Sequence, residues 1–103
     1  MNALDVQPER SGDRLRLRVR GELDLVSESE FSARLLKALA EDVRLLVVDL
    51  SGVEFIDSCG LRALLTGRDA AQDAGRDFAL CVTEGPVKQL LGIAGVREWF
   101  TYE

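Results

Sequence analysis

The sequence predicts an α/β fold: a mixed, largely parallel sheet of four to five strands with crossover helices, in the order β-β-α-β-α-β-α-β. Two observations carry this prediction. Arg14 to Asp24 alternates strictly, with Leu15, Leu17, Val19 and Leu23 on one side and Arg14, Arg16, Arg18 and Arg20 on the other. Period two over that length marks a half-buried strand. Leu45-Leu46-Val47-Val48 is instead a continuous apolar run, the pattern of a strand buried on both faces. Strands of these two kinds, separated by stretches of helical periodicity, imply parallel pairing through crossovers.

In chain order, Leu4 to Gln7 reads as a short strand that Pro8 stops or keeps at an edge. Ser11-Gly12-Asp13 reads as a turn into the alternating strand. The arginine row suits a solvated strand face, or an acidic partner. Ser27-Glu28-Ser29-Glu30 has capping-box spacing, and Phe31, Leu35, Leu39 and Val43 form a stripe, so a helix is expected from Ser27 to Glu41 or Asp42. After the Leu45 strand, Ser51-Gly52 reads as a break, and Val53 to Ile56 leads to Ser58. Leu61, Leu64 and Leu65 give a second helix, stopping at Gly75, with Ser58 as its N-cap. Phe78 to Thr83 is a strand with Cys81 as a buried, inert small hydrophobe. Gly85-Pro86 opens a short third helix, and Arg97 to Tyr102 forms a last strand.

At 103 residues, with no repeat or linker, the chain is expected to be a single domain spanning 1–103. An apolar share of 47% supports a folded core. The net charge of −5 argues against nucleic acid or an anionic membrane surface as partner. Cys59 and Cys81 make no CxxC pair, which suits a reducing compartment. MNALDVQPER lacks a signal-peptide pattern, and no apolar run approaches the ~18 residues of a membrane span. A soluble cytoplasmic protein is expected. The sequence contains no histidine, which removes Ser-His-Asp and Cys-His catalysis and most zinc sites. GxxxxGK[ST], GxGxxG and GxSxG motifs are also absent, as are the early acid pair and late lysine of a receiver domain. No catalytic residue, metal or cofactor is assigned.

Asp57-Ser58-Cys59-Gly60 lies where strand gives way to helix. Unpaired N–H groups and the positive end of the helix dipole suit an anion there, so a hydroxyl able to carry phosphate is the sharpest functional idea in the chain. Its plain alternative is a helix cap.

These residues resemble the STAS domain family, in particular the small bacterial anti-sigma factor antagonists. Gly21-Glu22-Leu23-Asp24 resembles the family's GxLD after the second strand. LLVVDLSGVEFIDSCGL, residues 45–61, resembles its apolar strand and D-S-x-G-L turn. Pro86-Val-Lys-Gln-Leu-Leu resembles the helix before the last strand. Together these span most of the chain in the right order.

The resemblance implies a partner-switching regulator and not an enzyme. Ser58 would be phosphorylated by an anti-sigma factor that is itself an ATP-dependent serine kinase. The unphosphorylated chain would bind that kinase, the phosphorylated chain would be released, and a metal-dependent serine phosphatase would reset it. Asp24, Asp57, Ser58, Cys59, Gly60 and Arg62 are the implied partner-binding residues. Asp57 would contact the kinase or position the serine, or else serve the helix dipole as a first-turn acid. Arg62, one turn after Ser58, would pair with the phosphate. Cys59 stands where many relatives have serine or threonine, and reads as a tolerated small neighbour. The alternative within the same family is a non-switching scaffold or transporter-associated subunit. Relatives commonly carry a further helix after the last strand, so Trp99, Phe100 and Tyr102 are expected to be less covered here and to favour self-association.

Overall fold

The computed structural model describes residues 4–103. The reading of residues 1–3, including the outer bound of the 1–103 domain, lies outside the described residues. Strands β1 (Asp5–Ser11), β2 (Arg14–Leu23), β3 (Leu45–Ile56), β4 (Asp77–Cys81) and β5 (Thr101–Tyr102) form one sheet in the order β1-β2-β3-β4-β5. β1 is antiparallel to β2, and the remaining neighbours are parallel. Helix α1 (Glu28–Leu39) connects β2 to β3, α2 (Ser58–Asp73) connects β3 to β4, and α3 (Pro86–Ala94) leads toward β5.

One sheet face supplies Leu15, Leu17, Val19, Leu46, Val48, Leu50 and Leu80 to the core. The helices return Phe31, Leu35, Leu64, Val87 and Leu91 to the same cluster. Burial of such side chains, each stabilising by about 1.5–3 kcal/mol, holds the layers together.

Several local expectations change. Pro8 does not end β1: it sits inside the strand, opposite Leu17. β1 is an edge strand, so the missing N–H costs no inner ladder bond. Ser51-Gly52 is not a break but part of a bulge in a continuous β3. Two residues between Asp49 and Gly52 face one residue between Arg18 and Arg20. A Cβ on Gly52 would come within 2.9 Å of Arg20 Cγ and 3.1 Å of the Val19 carbonyl oxygen, so glycine permits the close approach of β2.

α1 ends at Leu39, short of Glu41. Its expected capping box does not form. Ser27 has αR backbone angles (φ −93°, ψ −5°), which carry its hydroxyl away from the free N–H groups of the first turn. The Ser27 hydroxyl is 2.8 Å from the Glu22 carbonyl oxygen and accepts from the Asp24 N–H at 3.0 Å. It ties together the chain entering the helix. Ser27→Ala is therefore expected to cost about 1–3 kcal/mol, the range for a buried hydrogen-bonded polar group, measurable by urea unfolding.

α2 does end before Gly75, whose φ of +70° lets Gly75 N–H reach Gln72 O and Arg76 N–H reach Ala71 O. The expected strand from Arg97 is instead a 3-10 turn, Arg97–Trp99, followed by the two-residue β5. Trp99 and Tyr102 are exposed, but Phe100 is buried in the core, against expectation. Cys81 is only partly buried; it lies on the second sheet face, opposite Asp49.

That second face carries the arginine row. It is solvated at Arg14, Arg18 and Arg20, as expected, but it also carries ion pairs. Arg16 donates to Asp49 at 2.9 Å and to Glu103 at 2.6 Å, Arg14 also pairs with Glu103, and Arg18 pairs with Glu9 at 3.0 Å. Burial pushes the Asp49 carboxyl up, but the Ser51 hydroxyl and backbone N–H, together with Arg16, hold it below the usual range. A depressed folded pKa stabilises the fold above the unfolded value of ~3.9, and this contribution is lost as pH falls through the folded value. Asp49→Asn is accordingly expected to lower stability at pH 7 and to flatten the acid limb below pH ~4. Urea midpoints at pH 7 and pH 3 check both signs.

Candidate functional site at the start of helix α2

Parallel pairing of β2 and β3 brings their C-terminal ends side by side, with Glu22 opposite Phe55 and Leu23 opposite Ile56. The two following loops therefore meet. The Asp57 N–H donates to the Leu23 carbonyl oxygen at 3.1 Å, and Gly60 packs against the same residue.

Asp57, not Ser58, is the N-cap of α2. Its backbone is extended (φ −120°, ψ −170°), and its Oδ1 accepts from Cys59 N at 2.9 Å and Gly60 N at 3.2 Å. A carboxylate that satisfies two first-turn donors and faces the positive dipole end is an effective cap. This displaces Ser58 to the first helical position. There it is exposed, and its hydroxyl has no hydrogen-bond partner among the described residues. Asp57→Ala should lower stability by about 1 kcal/mol. Thermal unfolding should show Asp57→Asn losing less.

Asp24 closes a turn of its own. Its Oδ1 accepts from Val26 N and Ser27 N, both at 3.1 Å. The carboxylate is thus tied up in shaping the loop, and what the loop presents is apolar. Leu25 is 70% and Val26 91% exposed, and Phe55 on the adjoining strand end is 46% exposed. Lone exposed apolar residues mean little, but these three lie on the two segments that meet at this end of the sheet, where Ser58 is also exposed.

Asp24, Asp57, Ser58, Cys59 and Gly60 all come to this end of the sheet. Gly60 is buried and Cys59 partly buried. Arg62 is on hand but already engaged. Its Nε and Nη2 donate to Glu28 Oε2 and Oε1 at 2.8 and 2.9 Å, joining α2 to the first turn of α1. The Glu28 carboxylate raises the Arg62 pKa, with smaller contributions from Cys59 and Asp57, and Arg62 in turn lowers that of Glu28. Arg62 Nη2 also lies 3.7 Å from Cys59 Sγ, so the guanidinium folds back over the first turn of α2.

Sequence reasoning missed Glu28, Leu25, Val26 and Phe55. For the Leu25-Val26 pair a signal existed: two large apolar residues between a turn acid and a helix start, where nothing requires them. Glu28 carried no such signal, because its partner lies 34 positions away.

Among the described residues no helix is long and apolar enough to cross a membrane. A family model for the STAS domain matches residues 5–103. Solved structures share the architecture. An anti-sigma factor antagonist from Mycobacterium paratuberculosis superposes with a TM-score of 0.88 at 22% identity, covering 97% of this chain and 85% of that one. The anti-sigma factor antagonist SpoIIAA in its unphosphorylated form gives 0.77 at 18% identity, covering 98% and 88%. The Bacillus cell fate determinant SpoIIAA in its phosphorylated form gives 0.71 at 18%, covering 96% and 91%. At these identities the likeness is one of fold.

Proposed function

This chain belongs to the STAS domain family, and on that premise we propose that it is an anti-sigma factor antagonist switched by phosphorylation of Ser58. The observation that carries the proposal is the division of labour at the head of α2. Asp57 does the capping, which leaves the Ser58 hydroxyl exposed and uncommitted. A kinase reaching it breaks no internal hydrogen bond. That one fold neighbour was solved in an unphosphorylated and a phosphorylated form adds support.

The chemistry belongs to the partner. Ser58 Oγ attacks the γ-phosphorus of ATP held by the anti-sigma factor kinase, the bond to the β,γ-bridging oxygen breaks, and ADP leaves. The serine proton passes to a base on the kinase. A metal-dependent phosphatase later hydrolyses the ester. This chain contributes the acceptor, its positioning and the docking surface of Leu25, Val26 and Phe55. Asp24 shapes that surface, Asp57 and Gly60 set the serine against it, and Cys59 and Arg62 border it.

Phosphate brings about −1.5 to −2 charges onto a surface where Asp57 already lies. In the free protein the helix N-terminus and water accommodate the charge. In a docked interface it faces an apolar, partly dehydrated contact, so release follows without refolding. Intact-mass measurement with ATP and the kinase-type anti-sigma factors of the source genome tests this. Wild type should gain one phosphate and Ser58→Ala none. Capture of the chain in a large assembly with no phosphate on Ser58 would instead favour the non-switching scaffold.

A further inference from the structure

We propose that phosphate on Ser58 takes Arg62 from Glu28, exchanging the tie between α1 and α2 for a tie within α2. The inference rests on Ser58 being the phosphoacceptor and adds where the phosphate goes and which residue competes with it.

Ser58 and Arg62 are four apart in one α-helix and so share a face. The acid would lie N-terminal to the base, the favourable orientation for an i,i+4 pair. The guanidinium already folds back to within 3.7 Å of Cys59 Sγ, next to Ser58 in the first turn. Ser58 is the residue before Cys59 and lies one turn back on the face that Arg62 shares. The present partner of the guanidinium is a single, half-buried carboxylate: the Arg62 side chain is 65% exposed and that of Glu28 20%. The pair is bidentate, but its guanidinium is largely in water, so a more highly charged acceptor on the same helix face can compete for it. A phosphate carries up to twice the charge and presents three acceptor oxygens to the guanidinium fork.

The groups that bear on Arg62 are known. Glu28 approaches from α1, Asp57 from the turn before α2, and Cys59 from α2 itself. Of these, Asp57 is committed to two backbone N–H groups, so Glu28 is the one competitor among them for the guanidinium. When Arg62 leaves, the Glu28 carboxylate is left unpaired directly after the Leu25–Ser27 loop. The bare charge then sits beside the docking surface, and the exchange adds a second negative group to the one on Ser58.

The test uses phosphoserine encoded at position 58, so that it needs no kinase. Failure to phosphorylate Ser58 enzymatically would sink the functional reading, whereas this experiment judges the exchange alone. The second pKa of the phosphate, ordinarily ~6, is read by phosphorus NMR in four chains: unsubstituted, Arg62→Gln, Glu28→Gln and the double variant. Arg62→Gln should raise it by about half a unit, since a positive neighbour favours the dianion. Glu28→Gln should lower it, and lower it less once Arg62 is gone. A change below about a tenth of a unit on Arg62→Gln overturns the proposal. So does an equal effect of Glu28→Gln with and without Arg62, which would mean that Glu28 acts by its charge alone. Both substitutions are at the surface, and circular dichroism verifies the fold of each variant.

Discussion

Replacing Gly60 by alanine is expected to destabilise the protein by about 3 kcal/mol, near the upper end for overpacking. The reason is where one methyl group would go. A Cβ at Gly60 would lie 2.6 Å from the Leu23 carbonyl oxygen, 2.7 Å from Leu23 Cβ and 2.9 Å from Ile56 Cγ1. The first of these is backbone, and it belongs to the carbonyl that accepts from Asp57 N–H. Relief would require the head of α2 to lift off the end of β2, loosening the cap and moving Ser58. The usual gain of alanine over glycine in a helix, about 1 kcal/mol, does not offset this. Gly67 provides the contrast. There the Cβ would meet mainly the end of the Leu35 side chain, at 2.7 Å, and that side chain can rotate aside. Gly67→Ala should therefore cost about 1 kcal/mol or less. Urea unfolding of the two variants measures the difference, and equal stabilities would refute the close-packing argument.

The second large effect is on binding. Val26→Asp is expected to weaken the proposed complex with an anti-sigma factor by about 30-fold or more, the scale of an interface hot spot of ~2 kcal/mol. Val26 is 91% exposed, so the substitution removes no core contact and stability should hold. What it adds is a charge among the exposed apolar side chains Leu25, Val26 and Phe55 of the proposed docking surface. Phe55→Ala should weaken binding too, through lost contact area. Calorimetric titration of folded variants against the partner reads both. Wild-type affinity for Val26→Asp would move the docking surface elsewhere on the molecule.

Much of this was readable in advance, for identifiable reasons. The alternation of Arg14 to Leu23 and the apolar run at Leu45 are periodic signals, and periodicity reports which faces are buried. They imply the order of elements along the chain and a largely parallel sheet with crossover helices; the strand order and the pairing of β2 with β3 come from the structure. Asp57-Ser58-Cys59-Gly60 was recognisable as a strand-to-helix junction. The division of roles inside it was not. Ser27 and Ser58 were each assigned as caps on residue type, whereas capping depends on the backbone angle before the helix. The αR angles at Ser27 and the extended angles at Asp57 decide both cases. The Arg62–Glu28 pair and the Leu25–Val26–Phe55 surface depend on which loops the sheet brings together, and spacing along the chain does not encode that. The bulge at Ser51-Gly52 is similar: glycine signals an interruption, but only the approach of Arg20 shows that the strand continues through it.

By the proposed switch, one phosphate on Ser58 breaks a protein–protein contact. Titrating the same anti-sigma factor with the unmodified chain and with the chain carrying phosphoserine at position 58 tests it most directly. A loss of at least about tenfold in affinity is expected, with the two forms equally folded by circular dichroism. Equal affinity would contradict it, leaving Ser58 as an ordinary first residue of a helix that Asp57 caps.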